Sequence, residues 1–195
     1  MNNIIELETL LRASEQKALN TQTANKILTD MDNLRRKTSL ANQRRWIWEL
    51  IQNAKDVALE DDGVNIQIEF TDDNLIFSHT GKPFTVDNIT FLIEQVSSKD
   101  RFKEDDNTVK TTGKYGTGFL TTHLLSEKVT INGFINQPNI KCKEFEIELD
   151  RSGERIEQII ESVAKSKQAL YELNEDNNVE NYNPLIHRTS FRYQL

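Results

Sequence analysis

The first glycine of this chain is Gly63 and the first proline is Pro83, so a long opening stretch holds no residue that breaks a helix. Residues 4 to about 37 are rich in Glu, Leu, Ala, Lys and Gln, which favour helix. Apolar stripes run through Ile4, Leu7 and Leu11, and again through Ile27, Leu28, Met31 and Leu34. The polar "NTQTAN" at 20 to 25 is expected to interrupt them. A second helix is expected from Ser39 to a stop at Gly63.

Beyond Gly63 the period changes from helical to two. "NIQIEF" (65 to 70) and "NLIFSH" (74 to 79) flank Asp72 and Asp73 and predict a hairpin. "NITFLIEQV" (88 to 96) predicts a short helix, and the polar "SSKDRFKEDDNTVKTTGKYG" (97 to 116) a loop. "FLTTHLLS" (119 to 126) reads as a helix entered from glycines. Strands are expected at 128 to 135 and 140 to 149, a helix at 155 to 173 and a last strand in "TSFRYQL". This order points to an α+β fold with a mixed, mostly antiparallel sheet and helices on one face. The expected division is an N-terminal helical extension, 1–38, and a single domain, 39–195.

Composition sets limits on function. No apolar run approaches the roughly 20 residues that span a bilayer. A lone cysteine, Cys142, excludes a disulfide framework and a thiolate metal cluster, and suits a reducing, cytoplasmic setting. The net charge of −7 argues against a surface built to hold nucleic acid. The basic "NLRRKTSLANQRR" (33 to 45) reads as a solvated helical face, so nucleic acid is not indicated as a partner.

Three pieces carry chemistry. In "WELIQNAKD", Glu49, Asn53 and Asp56 stand at i, i+4 and i+7, on one face of a helix. An amide oxygen and a carboxylate with room for water suit a hard ion such as Mg²⁺, and a carboxylate one turn away can polarise a water. The bland alternative is a solvent-facing polar stripe, which the flanking Trp46, Ile47, Trp48, Leu50 and Ile51 argue against. The second piece, "SHTGKPF" (78 to 84), is by itself an ordinary turn. In the third, Gly113, Gly116 and Gly118 precede a helical run in the spacing G-x-x-G-x-G, where backbone N–H groups can meet an anion. No strand leads into these glycines and no G-x-x-x-x-G-K-[ST] loop exists, so neither a dinucleotide fold nor a P-loop is supported. His123 and His187 have no partner in sequence and read as structural.

In this order the pieces resemble the GHKL ATPase superfamily, which includes gyrase B, MutL, the ninety-kilodalton heat-shock chaperones, MORC proteins and histidine kinases. The resemblance spans about residues 40 to 150. "ELIQNAKD" looks like the N box and "GKYGTGF" like the G2 box. The G1 box departs from the family's D-x-G-x-G, since His79 replaces the aspartate that accepts from the adenine amino group and Pro83 the second glycine. An H-x-G-x-P-F run of this kind is similar to sacsin-like and large bacterial members of the superfamily.

The resemblance implies a Bergerat-type two-layer sandwich that binds ATP with Mg²⁺ and hydrolyses it slowly. By position, Glu49 would activate the attacking water, Asn53 would hold Mg²⁺ and Asp56 would support the site. Gly113, Gly116 and Gly118, with the N–H groups of Tyr115, Thr117 and Phe119, would cradle phosphates. Residues 97 to 116 would form the ATP lid, with Lys99 or Lys114 reaching phosphate oxygens. His79 and Gly81 would meet the base, and Thr189 would line the site. A neutral His79 either accepts through its bare nitrogen or donates to a ring nitrogen. Relatives draw a further cation from a second domain, so the implied partners are other parts of a longer chain or another protein, and nucleotide-dependent homodimers are common among relatives. The competing reading is a nucleotide-gated interaction module that binds a purine nucleotide without turnover.

Overall fold

The computed structural model describes residues 2–36, 44–95 and 117–195. Five strands form one sheet: β1 (Ile66–Phe70), β2 (Asn74–His79), β3 (Lys128–Ile135), β4 (Lys143–Asp150) and β5 (Thr189–Gln194). Their order is β1-β2-β5-β3-β4, and every neighbouring pair is antiparallel. The described helices are α1 (Asn2–Arg35), α2 (Arg45–Asp56), α3 (Val86–Glu94), the single turn α4 (Thr117–Leu120) and α5 (Ile156–Tyr171). The fold is α+β.

Period-two patterning decides which side of the sheet becomes core. Leu75, Phe77, Val129, Ile131, Phe145, Ile147, Leu149, Phe191 and Tyr193 are buried, while Glu144, Glu146, Glu148 and Arg192 between them are exposed. Leu50 and Ala54 of α2 and Ile89 and Leu92 of α3 complete the same core. Its far end is filled by α1, whose Ala24, Ile27, Met31 and Leu34 are buried at spacings of three and four. Leu7, Leu10, Leu11 and Leu19 of α1 are exposed.

The two sheet edges are treated differently. α5 lies along β4, where Ser162 Oγ donates to Asp150 O and Ser166 Oγ to Glu148 O, at 2.7 and 2.6 Å. The start of β4 is met by a bridge between Lys143 and Asn178. No described residue pairs with the outer edge of β1.

Several local expectations change. α1 runs unbroken through residues 20 to 25, because Gln16 Nε2 donates to Asn20 Oδ1 one turn on and burial of Ala24 and Ile27 seats the next turns, while the Thr21 hydroxyl is absorbed by Lys17 O. α2 ends at Asp56, short of Gly63, because the carbonyl of Val57 is taken by the N–H of Lys82 at 2.8 Å. The helix expected at 119 to 126 is one α-turn, Thr117–Leu120, followed by a 3-10 turn, Thr121–Leu124. Thr121 Oγ1 donates to Gly118 O there, and two successive β-branched residues disfavour longer α-helix. α3 forms where a helix is expected but two residues earlier, Val86–Glu94 in place of 88 to 96, because Thr85 and Asn88 start it in a reciprocal capping box and Gln95, at φ +51°, ends it.

The end of α3 is held from three directions. Buried Arg151 Nη2 donates to Ile93 O at 2.6 Å, Lys167 Nζ pairs with Glu94 Oε1 at 2.6 Å, and Lys26 Nζ donates to Gln95 O at 2.9 Å. Cations suit this place because the last carbonyls of a helix carry partial negative charge.

Candidate functional site

α2 presents the first piece of the site. Its apolar face, Leu50 and Ala54, is driven into the core, and this draws the neighbouring Asn53 inside with it. Asn53 Nδ2 is buried and has no hydrogen-bond partner, and the same is true of Asp56 Oδ2. A buried polar atom without a partner costs free energy, and here two lie one turn apart on the same helix. Glu49 completes the face; its side chain is 16% exposed, and its Oε1 accepts from Arg45 Nε at 3.0 Å.

The second piece packs on the end of α2. Gly81 has φ +130°, and a Cβ there would stand 2.6 Å from Val57 O. Both the backbone conformation and the close approach require glycine. The turn is fixed by Gly81 N–H to Pro184 O at 2.8 Å and Tyr182 Oη to Gly81 O at 3.1 Å.

His79, at the end of β2, is buried. Its Nδ1 lies 3.0 Å from Thr80 O. A carbonyl only accepts, so Nδ1 carries the proton and Nε2 bears the lone pair. That Nε2 is buried without a partner. Burial holds the ring's pKa below the ordinary histidine value, with the Thr80 carbonyl opposing and Arg188 adding to the depression, so the ring is neutral. It stacks on Phe191, with centroids 5.9 Å apart and planes 25° from parallel. In the sheet His79 stands directly opposite Thr189, which is also buried.

The third piece is described only from Thr117 onward. Gly118 closes directly on α2, since a Cβ there would stand 2.3 Å from Glu49 Oε2. Phe119 is buried, with its ring 5.5 Å from Phe191. Phe191 therefore touches both His79 and Phe119, and joins the end of β2 to the turn at Gly118. Of the candidate residues, Glu49, Asn53, Asp56, His79, Gly81, Thr117, Gly118, Phe119 and Thr189 lie within the described residues. Lys99, Gly113, Lys114, Tyr115 and Gly116, with the expected lid, lie outside them.

Sequence reasoning missed Arg45, Val57, Tyr182 and Phe191. Arg45 was legible as the i−4 partner of Glu49. The others act through the fold, and no local pattern marks them. His123 is buried, and burial, then the charge of Arg151, lowers its pKa to about 3 against the opposing backbone of Ser126 and Glu127. His187 Nδ1 accepts from Asn183 N at 2.9 Å, and its ring stacks on Tyr182, a structural setting.

Compared with known proteins, the chain matches no family model and no curated protein.

Proposed function

We propose that this chain is a GHKL-type nucleotide-binding domain of Bergerat fold that binds ATP with Mg²⁺ and hydrolyses it slowly to ADP and phosphate. The observation that carries the reading is the meeting of Glu49 and Gly118. Residues nearly seventy positions apart bring a carboxylate against the first turn of α4, where backbone N–H groups have no intrahelical partner. Asn53 and Asp56, both with orphaned buried atoms, stand one and two turns along the same helix.

The donor set fits Mg²⁺. Rotating the Asn53 amide end for end exchanges its nitrogen and oxygen, so the orphaned position offers oxygen to a hard cation, with Asp56 behind it. When bound, Mg²⁺ would neutralise charge on the phosphate oxygens. Glu49 orients the attacking water and takes its proton as the new P–O bond forms and the bond to the ADP oxygen breaks. N–H groups of Thr117, Gly118 and Phe119 meet the phosphate charge. On the base side, the lone pair of His79 Nε2 accepts from an N–H donor, which the 6-amino group of adenine supplies and the 6-oxo group of guanine does not.

Calorimetry with ATP, GTP and ADP, with and without Mg²⁺, tests the binding. ATP is expected to bind best and to need Mg²⁺ for full affinity, and Asn53→Ala to abolish that dependence. Equal affinity for GTP overturns the His79 assignment. Single-turnover hydrolysis by wild type and Glu49→Ala tests the chemistry. Equal, negligible rates in both, with ATP bound, would leave the binding module as the function. One observation favours that second reading: the ion pair with Arg45 occupies one oxygen of Glu49 and leaves only the other to meet a water.

A further inference from the structure

Among the described residues β1 is a bare edge with the wrong surface for one. Its register with β2 sets Ile66, Ile68 and Phe70 opposite His79, Phe77 and Leu75, so these three side chains share the core-facing side of the sheet. Yet Ile68 is 40% exposed and Phe70 69% exposed. The opposite edge, β4, is closed by hydroxyls of α5 and by the Asn178 bridge. Natural edge strands are protected by cover, by proline or by an inward-pointing charge, and β1 carries none of these among the described residues.

Its charge frame points one way. Glu60, Asp61 and Asp62 precede the strand, Glu69 lies within it, and Asp72 and Asp73 follow it. All are exposed, and none enters an ion pair among the described residues. Gln67 donates to Glu69 Oε1 on the solvent side. This frame argues against a second copy as occupant. Two-fold antiparallel pairing of β1 centred on Ile68 would bring Asp72 and Asp73 of one copy beside Val64 and Gly63 of the other, next to its Asp61 and Asp62. Like charges at both ends of a five-residue ladder oppose such a dimer.

We propose that the outer edge of β1 is a docking site for an extended segment of a partner protein in which apolar and basic residues alternate. The segment adds a sixth strand antiparallel or parallel to β1. Its apolar side chains cover Ile68 and Phe70, and its lysines or arginines meet Glu69 and the acidic loops at either end. Ile66 pairs with His79, but Ile68 and Phe70, which carry the docking, lie further along the strand, opposite Phe77 and Leu75, and the proposal does not depend on the reading of the Glu49–His79 site.

The test is fluorescence anisotropy with a labelled seven-residue peptide of alternating lysine and valine, with amide hydrogen exchange to locate it. Saturable binding is expected, weakened about tenfold or more by Phe70→Lys and by Ile68→Lys, and weakened again by added salt. Protection is expected in Ile66–Phe70. Circular dichroism and nucleotide affinity of both variants should match wild type, because the replaced side chains are exposed. Four results overturn the proposal: a glutamate–valine peptide that binds equally well, protection confined to other elements, no saturation up to roughly 1 mM peptide, or protection of Ile66–Phe70 that rises with protein concentration alone, which would assign the edge to a second copy.

Discussion

Two glycines that look alike in sequence do different things. At Gly81 a methyl group would strike the backbone oxygen of Val57 and the residue would keep a φ that side chains resist. Gly81→Ala is expected to destabilise the fold by roughly 2 kcal/mol or more, read from urea unfolding. At Gly118 the methyl group would meet only the tip of the Glu49 side chain, which can swing away. Gly118→Ala is therefore expected to shift stability by less than about 1 kcal/mol while lowering single-turnover ATP hydrolysis about tenfold or more, because the carboxylate is displaced. A variant that unfolds, or one that hydrolyses ATP as wild type does, contradicts this assignment. His123 gives a pH prediction. It takes up its proton near pH 6.5 when unfolded but only near 3 when folded, so the unfolded chain binds protons first as pH falls. Stability is whole above about pH 6.5 and declines below it, by about 2 kcal/mol at pH 5. The lowered pKa of His79 acts with the same sign. Urea midpoints across this range should fall, and His123→Leu should flatten the slope.

At the scale of elements, α1 is divided along its length. Ile27→Ala is expected to cost about 2–4 kcal/mol, since Ile27 is fully buried, whereas Leu10→Ala should change stability by less than about 0.5 kcal/mol. Comparable losses would mean that the first half of the helix is also packed. The hairpin, α3, α5 and the strands of the sheet were legible because each carries its own period and its own caps. The ends of α2 and the length of α4 were not, because a carbonyl taken by Lys82 and a threonine bonded to Gly118 are tertiary and local competitors that hydrophobic spacing does not record. The candidate site followed the same division. Glu49, Asn53 and Asp56 could be placed on one helical face from spacing alone, but the meeting of Glu49 with Gly118 needed the fold.

For the whole molecule, the site and the core share one wall, so ligand binding and global stability are linked. If ATP–Mg²⁺ binds only the folded state, ATP at about one hundred times its dissociation constant adds about 2.7 kcal/mol, which for a chain of this size raises the melting temperature by roughly 5–10 °C. Differential scanning fluorimetry should show this shift for ATP with Mg²⁺, a smaller one for GTP, and for Asn53→Ala only a small ATP shift that Mg²⁺ does not increase. An equal shift for GTP would contradict selection of the base by His79.

The place of β5 has a consequence in time. It is the last strand in sequence and the middle strand in space, wedged between the β1–β2 and β3–β4 hairpins, and its Thr189 faces His79. The two hairpins can form early from near neighbours, and Phe84 bridges to Ile135, but the sheet becomes continuous only when residues 189 to 194 arrive and close contacts over more than a hundred positions. During synthesis the chain would hold two open half-sheets, each with a raw interior edge, until that strand leaves the ribosome. The proposed nucleotide site is thus completed in the same step that seals the sheet, when Thr189 comes to face His79.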